Sequence, residues 1–176
     1  MKVGITVSKT VTFRIADFKD LPIIVEIYNS TIPSRIVTAD TEPVTIEERL
    51  DWFYAHNPEK RPLWIVEHKG EICGWVSLQS FYGRPAYDST AEISLYLHEK
   101  YRGRGLGKII LNKVMEECPK LDIETLLAFI FAHNEPSLRL FSNFGFEKWG
   151  FLPKVAKLDG IKRDLVILGK KIESNK

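Results

Sequence analysis

The densest chemistry in the 176-residue chain lies between Ser89 and Lys108, where an apolar alternating segment runs into Arg102-Gly103-Arg104-Gly105-Leu106-Gly107-Lys108. Three glycines let a backbone approach an anion closely, and the first N–H groups of a following helix have no acceptor of their own. Arg102, Arg104 and Lys108 add positive charge around the turn. Such a turn can serve as a plain strand-to-helix connection or as a cradle for a phosphate. A Walker loop would require glycine at position 102 and Ser/Thr at 109, where the chain has Arg102 and Ile109. A dinucleotide fingerprint starting at Gly103 would require glycine where Lys108 stands. Arg102-x-x-Gly105-x-Gly107 after an apolar strand remains.

The elements that must position this turn read as alternating strands and helices. Residues 11–15 alternate as a first strand. Asp20 before Leu21-Pro22 reads as an N-cap, with apolar Ile23, Ile24, Ile27 and Tyr28 at helical spacing up to about Ser30. A polar loop follows to Pro43. Thr45-Ile46-Glu47-Glu48 is a capping box opening a second helix to about Asn57. Residues 63–67 and 72–80 read as a hairpin around Lys69-Gly70. In the key strand Ala91, Ile93, Leu95 and Leu97 point one way and Glu92, Ser94 and Tyr96 the other. Leu106, Ile110 and Val114 form the apolar stripe of a helix that stops before Pro119. Residues 125–132 are almost continuously apolar, a central strand covered on both faces. Asn134 caps a further helix, with Pro136 in its first turn, ending at Gly145. Residues 146–151 and 164–168 read as strands joined through Asp159-Gly160.

Composition bounds the rest. A chain of this length with 44% hydrophobic residues builds one core, and a net charge of +2 argues neither for nucleic acid nor for a membrane surface. Two cysteines without metal-ligand spacing read as reduced thiols, and no zinc site is suggested. Residues 1–10 carry no targeting pattern and nowhere do 18 apolar residues run together, so the expectation is a soluble cytoplasmic protein. The domain reading is a flexible segment over 1–10, a single domain over 11–170 and a frayed tail over 171–176.

The Arg102-x-x-Gly105-x-Gly107 pattern resembles the acyl-CoA signature of the GNAT superfamily of N-acetyltransferases. Thr41-Glu42-Pro43, Tyr87-Asp88 before Thr90-Ala91-Glu92, Asn134-x-Pro136-Ser137 and Gly145-Phe146 resemble its phosphinothricin acetyltransferase branch, so that the likeness covers nearly the whole chain. It implies an α/β fold with a mixed, mostly antiparallel central sheet flanked by helices on both faces, and acetyl-CoA as co-substrate without a metal. The implied cofactor contacts are the backbone of Leu95, Tyr96 and Leu97, the turn Arg102, Gly103, Arg104, Gly105, Leu106, Gly107 and Lys108, then Asn134 and Asn143. Physically, an extended arm carrying amides can fill the gap where two parallel strands diverge.

Acetyl transfer to an amine needs an unprotonated nitrogen, and an α-amine with a pKa of about 8 is largely ammonium at neutral pH. By resemblance, Glu92 is the general base, its pKa raised by partial burial; an ordinary strand glutamate is the alternative from the residue alone. The Leu95 N–H or a neighbour is the expected oxyanion donor. Many relatives carry a tyrosine four residues before the glycine of Gly145-Phe146, where this chain has Phe141, so the acid is unassigned; Tyr96 and solvent are the candidates. Tyr82, Gly83 and Arg84 resemble a substrate-pocket loop, with Arg84 gripping a carboxylate, and Glu92, Ile93 and Ser94 complete the acceptor site. Trp75 and Phe81 are read as contributing to a small pocket closed by residues 82–87. Ala39-Asp40 replaces a Phe-Arg pair of the herbicide-detoxifying member, and residues 159–163 lack its histidine. The expected acceptor is therefore a small amino acid or analogue, of the phosphinothricin or methionine sulfoximine/sulfone type, acetylated by direct attack in a ternary complex. A homodimer is implied. A non-catalytic acyl-CoA sensor and a protein N-terminal acetyltransferase are the rival readings.

Overall fold

The computed structural model describes residues 10–173. The expectation of flexibility over 1–10 falls outside these residues except for Thr10, whose carbonyl accepts from the Lys69 N–H at 2.8 Å. Seven strands form one sheet in the order β1-β2-β3-β4-β5-β7-β6: β1 Val11–Ile15, β2 Leu63–His68, β3 Glu71–Ser80, β4 Thr90–Leu97, β5 Thr125–Phe131, β6 Glu147–Leu158 and β7 Ile161–Lys171. Every neighbouring pair is antiparallel except β4 with β5. Among the described residues four α-helices complete it: α1 Leu21–Thr31, α2 Leu50–Tyr54, α3 Leu106–Glu117 and α4 Glu135–Asn143. This is the mixed, mostly antiparallel α/β arrangement expected.

The alternation along β4 sorts the molecule into two layers. Ala91 and Ile93 join Leu106, Ile110, Leu111 and Val114 of α3 and Phe141 of α4 in the main core. On the opposite face, α1 packs through Ile24, Ile27 and Tyr28 against Leu63, Ile65 and Trp75, with Tyr96 alongside. Both tight hairpins follow from their glycines. Lys69-Gly70 and Asp159-Gly160 each hold two consecutive positive φ angles (53° and 83°; 48° and 80°), the twist that two-residue hairpins require. Among the described residues no helix is long and apolar enough to cross a membrane.

Several boundaries differ from the sequence reading. Asp20 makes no side-chain cap for α1. Its carboxylate instead takes a two-pronged contact from Arg14 (2.6 and 2.9 Å) and the Asp17 N–H (2.7 Å), while Asp17 caps the turn before the helix. The Thr45–Glu48 capping box is present in both directions, at 2.7 and 3.2 Å, but α2 ends at Tyr54 rather than Asn57. β6 and β7 run well past the expected segments; register shifts at Lys148/Gly150 and Leu152/Ala156 interrupt the alternation that would have revealed the full length of β6. The tail is not frayed where expected to start: Lys171 pairs with Thr125 and the Ile172 N–H donates to the Glu124 carbonyl at 2.8 Å. Residues 174–176 lie outside the described residues.

Candidate active site

The site is built around an interruption in the sheet. β4 and β5 are in register at Thr90↔Thr125, Ala91↔Leu126 and Glu92↔Leu127, and there the pairing stops although both strands continue. A narrow cleft of about 60 Å³ opens beyond it, walled by Ile93 to Tyr96 and by residues 128–130, with Val37, Asn134, Ser137 and Phe141 completing the lining. The Ser89 carbonyl accepts from the Thr125 N–H at 3.1 Å, and the His98 N–H donates to the Cys73 carbonyl at 2.9 Å. Odd-numbered β4 residues therefore direct their backbone groups toward β5, and even-numbered ones toward β3. Ile93 and Leu95 present main-chain groups to the cleft, as a third, extended chain would require to be paired, and Leu97 beyond them faces the same way. Tyr96, expected as a backbone contact, has its main chain turned into the β3 ladder opposite Trp75.

At the far end of β4 the chain is guided into the cradle by fixed turns. The His98 ring accepts from the Lys100 N–H at 3.3 Å, and buried Tyr101 donates its phenol to Glu71. Gly103 and Gly105 take φ of 70° and 78°, and a Cβ built at either meets nothing within 4 Å, so open space fronts the start of α3. Gly105 is the N-cap and supplies no side chain, leaving the first-turn N–H groups for an external acceptor. Gly107 has a different reason to be glycine: a Cβ there would stand 2.9 Å from the Leu140 side chain, so it sets the approach of α3 to α4. The Arg102 Nε reaches the Leu97 carbonyl at 3.4 Å; exposed Arg104 lies with its guanidinium carbon 5.6 Å from the Tyr101 ring centre; Lys108 is exposed. Leu106 is buried core, available through its backbone. Asn134 accepts from the Ser137 N–H at 3.3 Å as the cap of α4 and also lines the cleft. Asn143 is the exposed last residue of α4.

Glu92 occupies the last registered position before the strands part, on the face opposite α3. It is half-buried without a hydrogen-bond partner, and burial alone pushes its carboxyl above the ordinary glutamate range. Ser94 and Tyr96 follow on the same face. Tyr96 stacks on Trp75 (ring centres 4.6 Å), and burial drives its phenol strongly upward. Proton transfer from such a phenol to a leaving thiolate would run uphill, which argues against Tyr96 as the acid. Ile93 contributes only backbone, because its side chain is in the main core.

Sequence reasoning overlooked the strap that covers this face. The segment between α1 and α2 passes Val37 along the cleft and is pinned on all sides. Arg35 pairs with Asp159 at 2.8 Å, the Arg35 carbonyl meets His133 Nε2 at 2.8 Å, Tyr28 bonds Thr38 and Asp40, and Asn29 exchanges two bonds of 2.9 Å with Val44. The loop expected to close the acceptor pocket is different. Residues 82–88 are all exposed, their rings packing on one another and on Phe81. Tyr82 and Gly83 hold positive φ at its tip, and the Arg84 side chain is exposed while its carbonyl accepts from the Tyr87 N–H at 2.9 Å. Buried Arg61 fastens the loop's base, donating to Ser80 Oγ (3.0 Å) and the Asp88 carbonyl (2.7 Å), which fixes the start of β4 and hence Glu92. Trp75, expected at the pocket, is a core residue whose indole donates to the Ile24 carbonyl at 3.1 Å.

Comparison with known proteins agrees with this geometry. The chain is 51% identical to YwnH of Bacillus subtilis (strain 168), a phosphinothricin acetyltransferase-like protein, over 92% of this chain and 99% of the other. It is 28% identical to the L-methionine sulfoximine/L-methionine sulfone acetyltransferase of Salmonella typhimurium (strain LT2), over 89% and 92%. The fold superimposes with a TM-score of 0.85 on the crystal structure of a GNAT superfamily phosphinothricin acetyltransferase from Sinorhizobium meliloti in complex with acetyl-CoA, at 26% identity and covering 93% and 89%. The profile of the Acetyltransferase (GNAT) family matches residues 24–146, and the chain belongs to that family.

Proposed function

We propose that the protein moves the acetyl group of acetyl-CoA to the free α-amine of a small amino acid or amino-acid analogue, of the methionine sulfone or phosphinothricin type. The observation that carries this reading is the position of Glu92: a half-buried carboxyl at the point where β4 and β5 part, on the face away from the helix that carries the cradle. Acetyl-CoA supplies an activated thioester; the protein supplies position and proton handling. The diphosphate lies on the N-terminal turn of α3 among Gly103, Gly105 and Lys108, the pantetheine amides pair with Leu95, Leu97 and neighbours across the cleft, and Asn134 flanks them. Glu92 takes the ammonium proton directly or through water, which its raised pKa suits at neutral pH. The Leu95 N–H is a donor for carbonyl oxygen that gains negative charge. The departing thiolate is protonated from solvent.

The named acceptors of the relatives at 28% identity and above support a small acceptor. Arg84 and the loop at 82–88 contact it after closing inward, and Ser94 lines its seat. We further propose a homodimer through the β6–β7 hairpin: β6 is the sheet edge, and Trp149, Phe151, Leu152, Val155 and Ile161 are 40–57% exposed. Light scattering that reads a monomer at micromolar concentration refutes that arrangement. The protein is placed in the cytoplasm, with which its two free, buried cysteines are compatible. A CoA-release assay over free amino acids, their sulfone, sulfoximine and phosphinate analogues, and amino-terminal peptides tests the function. Turnover with the analogues is expected; turnover with peptides alone, or with nothing, overturns it.

A further inference from the structure

Glu92 has a polar neighbour on the adjoining strand. β3 and β4 stay in unbroken register from Gly74↔Leu97 to Ser80↔Ala91, and Glu92 stands directly opposite Gln79. Even-numbered β4 residues turn their backbone groups toward β3, so the two residues exchange main-chain bonds, their Cα atoms lie about 5.5 Å apart, and both side chains leave the same face of the sheet. It is the face away from α3, on which Trp75 stacks on Tyr96 with ring centres 4.6 Å apart. Between these two cross-strand pairs, Ser77 opposes Ser94.

The patch is polar and unpaired. Gln79 and Glu92 are half-buried, and neither side chain has a hydrogen-bond partner among the described residues. The hydroxyl of Ser77, a fully buried residue, is unpaired as well. No charged side chain compensates Glu92, since burial is the sole cause of its raised pKa. Its register partner on β5 is Leu127, α1 presents Ile24, Ile27 and Tyr28 to this face, and the other ionisable group on this face of β4 is Tyr96. Arg61, at the start of β4, donates instead to Ser80 Oγ and to the Asp88 and Thr90 carbonyls. A half-buried carboxylate without a donor is costly, and a carboxamide offers both a donor and an acceptor. The Gln79 N–H can donate to the carboxylate before the proton arrives, and its C=O can accept from the carboxylic acid afterwards. Lysine or arginine in that place would hold Glu92 ionised and weaken it as a base, and a second carboxylate would repel it.

We propose that Gln79 is a positioning residue for Glu92, holding its carboxyl in one place in both protonation states, directly or across one bound water. The proton leaves the acceptor's ammonium group, resides on Glu92 and passes to solvent; Gln79 neither gains nor loses one. This role in catalysis rests on Glu92 being the base.

The test joins two readouts on the full chain: NMR titration of the side-chain carboxyl of Glu92 and the side-chain amide of Gln79, each identified by its loss in Glu92→Gln or Gln79→Leu, and the pH profile of kcat/KM with methionine sulfone. In the parent the Gln79 amide is expected to titrate with the midpoint of Glu92, and to stop doing so in Glu92→Gln. The Glu92 midpoint, and with it the acid limb of the rate profile, should fall by about one pH unit or more in Gln79→Lys and rise by about as much in Gln79→Glu, where two carboxyls titrate as a coupled pair. Gln79→Leu should lower kcat at neutral pH about three- to tenfold with acetyl-CoA affinity unchanged. A merely structural Gln79 would change the melting temperature and leave the midpoint where it is. A Gln79 amide in the parent that does not respond to Glu92, or midpoints that stay put in both the Lys and the Glu variants, overturns the proposal. If Glu92→Gln keeps the acid limb while the Gln79 amide still follows Glu92, the pairing stands and the assignment of Glu92 as base is what fails.

Discussion

Alanine at Gly105 and at Gly160 separates a backbone cost from a binding cost. The two positions have nearly the same backbone, φ of 78° and 80°, and a Cβ at either meets no atom within 4 Å. Forcing an L side chain into the left-handed region costs about 1–2 kcal/mol, and a stiffer unfolded chain returns about 0.4–1 kcal/mol. Both variants should therefore lose about 1 kcal/mol and melt about 2–4 °C lower. Only Gly105 fronts the N-terminal turn of α3. Its new methyl would stand in the approach of a diphosphate and forfeit at least one charge-assisted bond, worth about 1.5–3 kcal/mol, so acetyl-CoA affinity should fall tenfold to a hundredfold. Gly160, at the tip of the β6–β7 hairpin, should bind as the parent does. Thermal unfolding and titration calorimetry with acetyl-CoA read the two effects independently. If Gly105→Ala binds as tightly as the parent, or if Gly160→Ala loses as much, the cradle reasoning fails.

Two further outcomes follow from named carboxyls. Glu92→Gln should lower kcat by about 10²-fold or more while leaving acetyl-CoA affinity intact. Because burial raises the Glu92 pKa, the acid limb of kcat/KM in the parent should have its midpoint above the ordinary value of about 4.3 and should vanish in the variant; an unchanged limb removes Glu92 from the mechanism. Asp20 is held below the usual carboxylate range, first by the Arg14 contact, with the Asp17 N–H also helping. Its stabilisation is present above the unfolded pKa and is lost as pH falls through the folded one. Asp20→Asn should cost about 2 kcal/mol at neutral pH, toward the modest end because Arg14 is partly exposed, and the gap to the parent should close on acidification. Urea titrations at neutral and acid pH measure this, and an equal gap at both would exclude the pair as the cause.

The parts of the site that were legible in the sequence are local. Alternation along residues 90–97 assigns the faces of β4 because one side of that strand is core, and glycines at 103 and 105 signal the turn because glycine takes positive φ at the least steric cost. Asn134 was readable as a cap since its partner, Ser137, is three residues away. The features missed depend on distant pairs. Arg35 and Asp159, 124 residues apart, lock the strap to the β6–β7 turn, and nothing in either neighbourhood announces the other. Asp20 had the spacing of a cap, but a two-pronged contact from the Arg14 guanidinium on β1 outweighs a single cap bond to a backbone N–H. β6 was read only as far as Phe151 because its register shifts break the period on which strand recognition rests, and most of its side chains meet no core.

The divergence of β4 from β5 also divides the sheet mechanically. Only three ladder positions pair β4 with β5, between the block β1–β4 and the block β5–β7, whereas every internal junction of each block has at least five. A molecule lodged along that seam acts as mortar as well as reagent. Loading the acyl donor should stiffen the joint on which Glu92 is mounted, so that the carboxyl is held steadiest when there is an acetyl group to pass on.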